Sequence, residues 1–140
     1  MAFLKVWVHM VWTTKNRMPY LKRSVRPSVF RHIRENARSK GIFVDSIGGD
    51  QEHIHLLISL GAEERIAKIA QLLKGESSFW INKQDLIQGK FEWQDDYYVV
   101  SVGENELPRI RRYILNQDEH HRKKSFSEEY QNFIATGVGV

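Results

Sequence analysis

Apolar and polar positions alternate over residues 4–13: Leu4, Val6, Val8, Met10 and Trp12 fall on one side, and Phe3, Lys5, Trp7, His9 and Val11 on the other. A period of two predicts a strand, here buried on one face and mixed on the other. A basic, turn-prone loop, TKNRMPYLKR, follows. The spacing then predicts a helix over 26–40, with Ser24 as its cap, Pro27 in its first turn and Gly41 ending it. Phe30, Ile33 and Ala37 form the core side of that helix, which leaves Arg31, Arg34 and Arg38 free. Residues 42–47 read as a second strand, and Gly48-Gly49-Asp50 turns the chain into a third over 52–60. Ile66, Ile69, Ala70, Leu73 and Ile81 keep helical spacing within a helix over 62–83. Residues 97–102 have β-branched and aromatic strand character. A last helix starts near Leu107, with Asn105 as a cap and Pro108 in its first turn, and runs through Gln117 toward His121. The order β-α-β-β-α-β-α predicts an α+β, ferredoxin-like (RRM-like) fold, an antiparallel sheet with helices on one face and the other face open.

Composition narrows the class. At 140 residues the chain is expected to be one domain, 1–140. Its 41% hydrophobic and 27% charged residues exclude wholesale disorder. No apolar run approaches the roughly 18 residues needed to cross a bilayer. Lys5 and His9 interrupt the apolar N-terminus, which argues against a signal peptide. With no cysteine there is no disulfide framework, thiol nucleophile or Cys-type zinc site. The charge is segregated: residues 1–40 carry ten Lys/Arg against one acid, 41–108 five against twelve, and 109–140 six against four. Basic ends of this kind suit a polyanion, since Lys and Arg that neutralise phosphates release counterions.

The chemistry concentrates in two strings. In Gln51-Glu52-His53-Ile54-His55-Leu56-Leu57-Ile58-Ser59, strand alternation puts His53 and His55 on the open face and Ile54, Leu56 and Ile58 under the helices. Two imidazoles two residues apart converge well enough to hold one divalent cation. In Arg111-Arg112-Tyr113-Ile114-Leu115-Asn116-Gln117, Tyr113 and Gln117 are four apart and share a helix face. A phenol can attack a phosphodiester whose charge a cation withdraws, and a glutamine carbonyl oxygen can be a further ligand. Each string alone also reads as ordinary strand histidines or a half-buried aromatic. His9 lies on the same side of the first strand as the pair's open face. Lys15, Arg17, Arg34, Arg38, Arg111 and Arg112 are candidate phosphate contacts, and tryptophans 7, 12, 80 and 93 could stack on unpaired bases.

Taken together, His53-Ile54-His55 on a strand and Tyr113-x-x-x-Gln117 on a helix some sixty residues later resemble the single-tyrosine HUH transposases. The segments 11–17, 73–78 and 93–102 resemble further parts of that family. The stretch 113–121, with Ser125-Phe126 and Glu128-Glu129-Tyr130, is similar to the REP-associated branch. The resemblance implies a transposase that cleaves and rejoins single-stranded, hairpin-bearing DNA ends. Tyr113 would be the nucleophile, forming a 5′-phosphotyrosine. His53, His55 and Gln117 would bind Mg²⁺ or Mn²⁺, with His9 and His121 in support. It also implies a cytoplasmic, nucleoid-associated protein with no membrane partner. Insertion-sequence members are dimers and REP-associated members act as monomers, so a homodimer stays open. Tyr20, Tyr97, Tyr98 and Tyr130 are rival nucleophiles, but none has a glutamine four residues on. The competing classes are a non-catalytic single-stranded nucleic-acid binding module and a metal-dependent phosphoesterase that uses water.

Overall fold

The computed structural model describes residues 3–117. The main elements are β1 (Trp7–Thr13), α1 (Arg26–Ser39), β2 (Phe43–Gly49), β3 (His53–Ser59), α2 (Ile66–Lys83), β4 (Tyr98–Val102) and α3 (Leu107–Leu115). Every strand pairing is antiparallel and the sheet order is β2-β3-β1-β4. This is the ferredoxin-like α+β arrangement that the pattern predicts. Among the described residues no helix is long and apolar enough to cross a membrane.

Several boundaries differ from the expectation, each for a local reason. β1 begins at Trp7, the first residue with ladder partners on both sides, Ser59 and Val102. α1 is preceded by Val25 and has no side-chain cap, so Ser24 does not serve as one. The Lys22 carbonyl accepts the Val25 and Arg26 N–H groups instead, and that turn leads straight into the helix. Gly41, at φ +75°, closes it as expected. α2 starts at Ile66 because Glu64 Oε1 accepts the Gly61 N–H at 2.6 Å and holds the preceding residues in a turn. Asn105 is not a cap either. It lies inside a 3₁₀ turn (Glu104–Glu106) that continues directly into α3.

Strand alternation sends Val8, Met10, Trp12, Ile54, Leu56 and Ile58 to one face, where Ile33 and Ala37 of α1 and Ile69, Leu73 and Ile81 of α2 bury them. Each large apolar side chain buried in this way contributes about 1.5–3 kcal/mol. The opposite face carries the histidines; the pattern predicts it open, but the apolar side of α3 packs across it and the histidines are buried there. Leu107, Ile110 and Ile114 of α3 form an apolar stripe that needs cover, and Val11, Leu57 and Val102 provide it. Gly48 lets α3 come this close: a Cβ there would stand 2.1 Å from the Ile114 carbonyl oxygen.

Candidate active site

Three histidines meet under α3. In the β1/β3 ladder Val11 pairs with His55 and Thr13 with His53, so the imidazoles of both strands are neighbours on one face. His9 Nε2 lies 2.9 Å from His55 Nδ1. The His53 and His55 ring centroids are 4.8 Å apart. All three rings are buried, at 0–1% exposure. Burial pushes His9 from 6.5 down to about 3, so its ring stays neutral at ordinary pH and one nitrogen remains an acceptor. If the His55 Nδ1–H donates to that acceptor, His55 Nε2 keeps its lone pair for a ligand.

His53 is fixed from its other side. Asp50 Oδ1 stands 2.6 Å from His53 Nδ1 and also accepts the backbone N–H groups of Glu52 at 2.9 Å and His53 at 3.0 Å. A carboxylate in this position holds the proton on Nδ1 and leaves Nε2 as an acceptor.

α3 brings the second half of the site. Tyr113 packs its ring 5.5 Å from His55 and 6.0 Å from His9, centroid to centroid, both edge-on. Gln117 lies one turn further, and its Nε2 donates to the Tyr113 carbonyl at 3.0 Å. That bond sets the amide's orientation, so Oε1 is the atom facing His53 Nε2 at 3.2 Å. Two acceptors face each other there. A proton on Nε2 would satisfy the pair as an ordinary hydrogen bond, and a cation shared by the two acceptors would satisfy it equally. Among the described residues no group of three His, Cys, Asp or Glu side chains is arranged to hold a metal. A metal held here would need a donor of another type, and the Gln117 amide oxygen, beside His53 Nε2, is placed to be one. The two imidazoles suit a borderline divalent ion and the amide oxygen a harder one, so the donor set is compatible with Mn²⁺ or Mg²⁺ without selecting either over other divalent ions.

The expected phosphate contacts separate into two groups. Arg111 makes a two-pronged contact with Asp45, Nε to Oδ1 at 2.9 Å and a terminal nitrogen to Oδ2 at 3.1 Å, which clips α3 to β2. Arg34, expected to be free, donates to the Val44 and Asp45 carbonyls at 3.2 and 3.3 Å. Lys15 pairs with Glu92 at 3.1 Å and Arg17 with Glu52 at 3.4 Å, both near the surface. Arg38 and Arg112 are exposed. Trp12 and Trp93 are core residues in edge-on contact at 5.8 Å, and Trp80 stacks on His32 at 4.1 Å between α1 and α2. Trp7 is half-buried, next to Phe43 and beneath Arg111. Tyr20 packs on Phe91 at 5.7 Å. His121 and Tyr130 lie outside the described residues.

Sequence reasoning missed Asp50. Its signal was an Asx-type turn residue three positions before a strand histidine, absorbed there into the Gly-Gly-Asp turn.

A family profile described as "Transposase IS200 like" matches residues 2–117. The ISDra2 transposase TnpA of Deinococcus radiodurans is 26% identical over 116 residues, spanning 79% of this chain and 83% of that protein. A crystal structure from D. radiodurans R1, described as a transposase candidate, superposes with a TM-score of 0.64 at 25% identity, covering 84% of this chain and 95% of the other. A REP-associated tyrosine transposase bound to a REP hairpin has the same fold, with a TM-score of 0.64 at 12% identity over 99% of this chain and 85% of the other.

Proposed function

The chain belongs to the IS200-like transposase family, and on that premise we propose that it cleaves and rejoins single-stranded DNA through Tyr113. The observation that carries this reading is the convergence in one chain of Tyr113 with His55 and of Gln117 with His53, across some sixty residues of sequence. The Tyr113 phenolic oxygen attacks the scissile phosphorus and the bond to the 3′-oxygen breaks. The strand is left with a 5′-phosphotyrosine and a free 3′-hydroxyl, the phenol having given up its proton and the leaving oxygen having gained one. Rejoining is the reverse attack by a 3′-hydroxyl, and it needs no nucleotide cofactor because the phosphotyrosine conserves the bond energy.

His53, His55 and Gln117 would hold Mg²⁺ or Mn²⁺. Bound there, the ion supplies Lewis-acid withdrawal of charge from a non-bridging phosphate oxygen. Asp50 and His9 sit against the Nδ1 atoms of the two imidazoles, which leaves each Nε2 to act as a ligand. The Gln117–Tyr113 hydrogen bond ties the placement of the nucleophile to that of the ligand. Tyr113 is only 3% exposed, so a phosphate reaches its hydroxyl only if the packing around the ring gives way. The tyrosine already sits over the histidines of its own chain, which supports attack in cis. Hairpin-bearing DNA ends are the proposed substrate, and nucleoid DNA the proposed setting.

The test is incubation with labelled single-stranded DNA from the gene's own flanks plus Mn²⁺. A covalent adduct on Tyr113 is expected, lost in Tyr113→Phe while DNA binding persists. Cleavage that survives Tyr113→Phe would identify a water-using phosphoesterase. Binding without any cleavage by the native protein would identify a binding module.

A further inference from the structure

Beside the histidine pair the sheet has a gap. β1 pairs with β4 only as far as Val11 and Tyr98, although β1 continues to Thr13. The chain before β4 returns to β1 at Gln94, whose N–H donates to the Thr13 carbonyl at 2.9 Å, and the β1/β4 ladder register does not extend over residues 95–97. A pocket of about 160 Å³ opens there, lined by Thr13, Arg17, Gln94, Asp96, Tyr97 and Tyr98 among others.

The walls are built rather than incidental. The Lys74 ammonium donates to the Gln94, Asp95 and Asp96 carbonyls at 2.6, 2.8 and 3.4 Å and lies 5.9 Å from the Tyr97 ring. On the other wall, Asn16 and Arg17 both take φ 56°, which is uncommon for Arg, and the Asn16 N–H donates to Gln94 Oε1 at 3.1 Å. The two loops are therefore locked to each other and to α2, with an aromatic ring 40% exposed at the opening.

We propose that this pocket receives one unpaired nucleobase next to the scissile phosphate, stacked on Tyr97 and read by Asp96. The proposal rests on the DNA reading above. Val11, in the pocket wall, is the ladder partner of both His55 and Tyr98, so that wall stands one strand spacing, about 4.8 Å, from the strand of the candidate ligand His55. A nucleotide whose phosphate lies on the histidines has its own or its neighbour's base within reach. Aromatic walls accept any base face, and polar groups at the rim supply the selectivity. The Asp96 carboxylate accepts from an exocyclic amino group and repels the carbonyl oxygens that flank the single ring N–H of thymine. The pocket thus favours an amino-bearing base.

The experiment is an anisotropy titration of the full chain with flank-derived single strands, each carrying one abasic site at successive positions. At one position, loss of the base is expected to weaken binding by the native protein about tenfold, the scale of one base–aromatic stack. Tyr97→Ala, whose melting curve verifies its fold, should bind the intact strand about as weakly and ignore the abasic site at that position. Tyr97→Phe should behave as native. Thymine at that position should bind more weakly than an amino-bearing base, and Asp96→Asn should remove the difference. A native protein indifferent to every single base, or a Tyr97→Ala variant that responds as native does, overturns the pocket. A native protein that forms no Tyr113 adduct but shows this coupling overturns the catalytic reading and leaves the pocket standing.

Discussion

The Asp50 carboxylate and the His53 imidazole are locked together at 2.6 Å, oxygen to Nδ1, with the same oxygen also accepting the His53 backbone N–H. Side chain and main chain are thus held by one atom, which leaves His53 Nε2 aimed at Gln117. Outer-shell carboxylates of this kind typically change metal affinity by about 10–100-fold. Asp50→Asn is predicted to weaken Mn²⁺ binding by that amount, read by calorimetry on the DNA-free protein. Unchanged Mn²⁺ affinity would remove Asp50 from the site.

Gly48 controls the distance between the tyrosine and the histidines. An added methyl would overlap the Ile114 carbonyl, and neither atom belongs to a flexible side chain. Gly48→Ala is predicted to cost about 1–3 kcal/mol through overpacking, seen as a melting point lower by several degrees. Because the strain falls one residue from Tyr113, adduct formation should drop even at temperatures where the variant is fully folded. Native yields of adduct from a destabilised variant would show that α3 need not sit as it does.

The fold was legible because its signals were periodic. The alternation in β1 and β3 and the helical spacing in α2 each follow from which side chains the sheet can bury, and a ferredoxin-like order leaves few topologies to choose from. That these four side chains form one candidate site was legible only through the combination of His53-x-His55 with Tyr113-x-x-x-Gln117. Partnerships between distant residues were not. Nothing local in the sequence says that Asp45 neutralises Arg111, that Arg34 is held by two strand carbonyls, or that Lys74 pins the loop before β4. The caps failed for a related reason: Ser24 and Asn105 have suitable chemistry, but preceding turns had already satisfied the first N–H groups of α1 and α3.

The Arg111–Asp45 clip has a defined pH window. Partial desolvation pushes the Asp45 carboxyl up, but hydrogen bonds from Arg111 and Ser46 and the charges of Arg111 and Arg34 outweigh it, holding the group below its ordinary 3.8. A lowered carboxyl contributes stability above its unfolded value and loses it as pH falls through the folded one. The melting-point difference between native protein and Asp45→Asn should therefore stay level from pH 8 to pH 5 and shrink below about 4. Solvent screens the pair, so the plateau should correspond to no more than about 1 kcal/mol. A difference that disappears near pH 6 would assign it to a histidine instead.

Salt dependence separates the basic residues that touch DNA from those that hold the fold. Each phosphate contact on a single strand steepens the slope of log K against log salt by about 0.7. Arg112, exposed on α3, and Lys15, whose pairing with Glu92 is open to solvent, can exchange water or a weak partner for a phosphate. Arg112→Ala and Lys15→Ala are each predicted to flatten the slope by about 0.7 while leaving the melting point nearly unchanged. Arg34 spends its guanidinium on the Val44 and Asp45 carbonyls. Arg34→Ala should lower the melting point and leave the slope as it is. If the slope instead flattened for Arg34→Ala and held for Arg112→Ala, the DNA path would have to run along α1 and β2 rather than across α3.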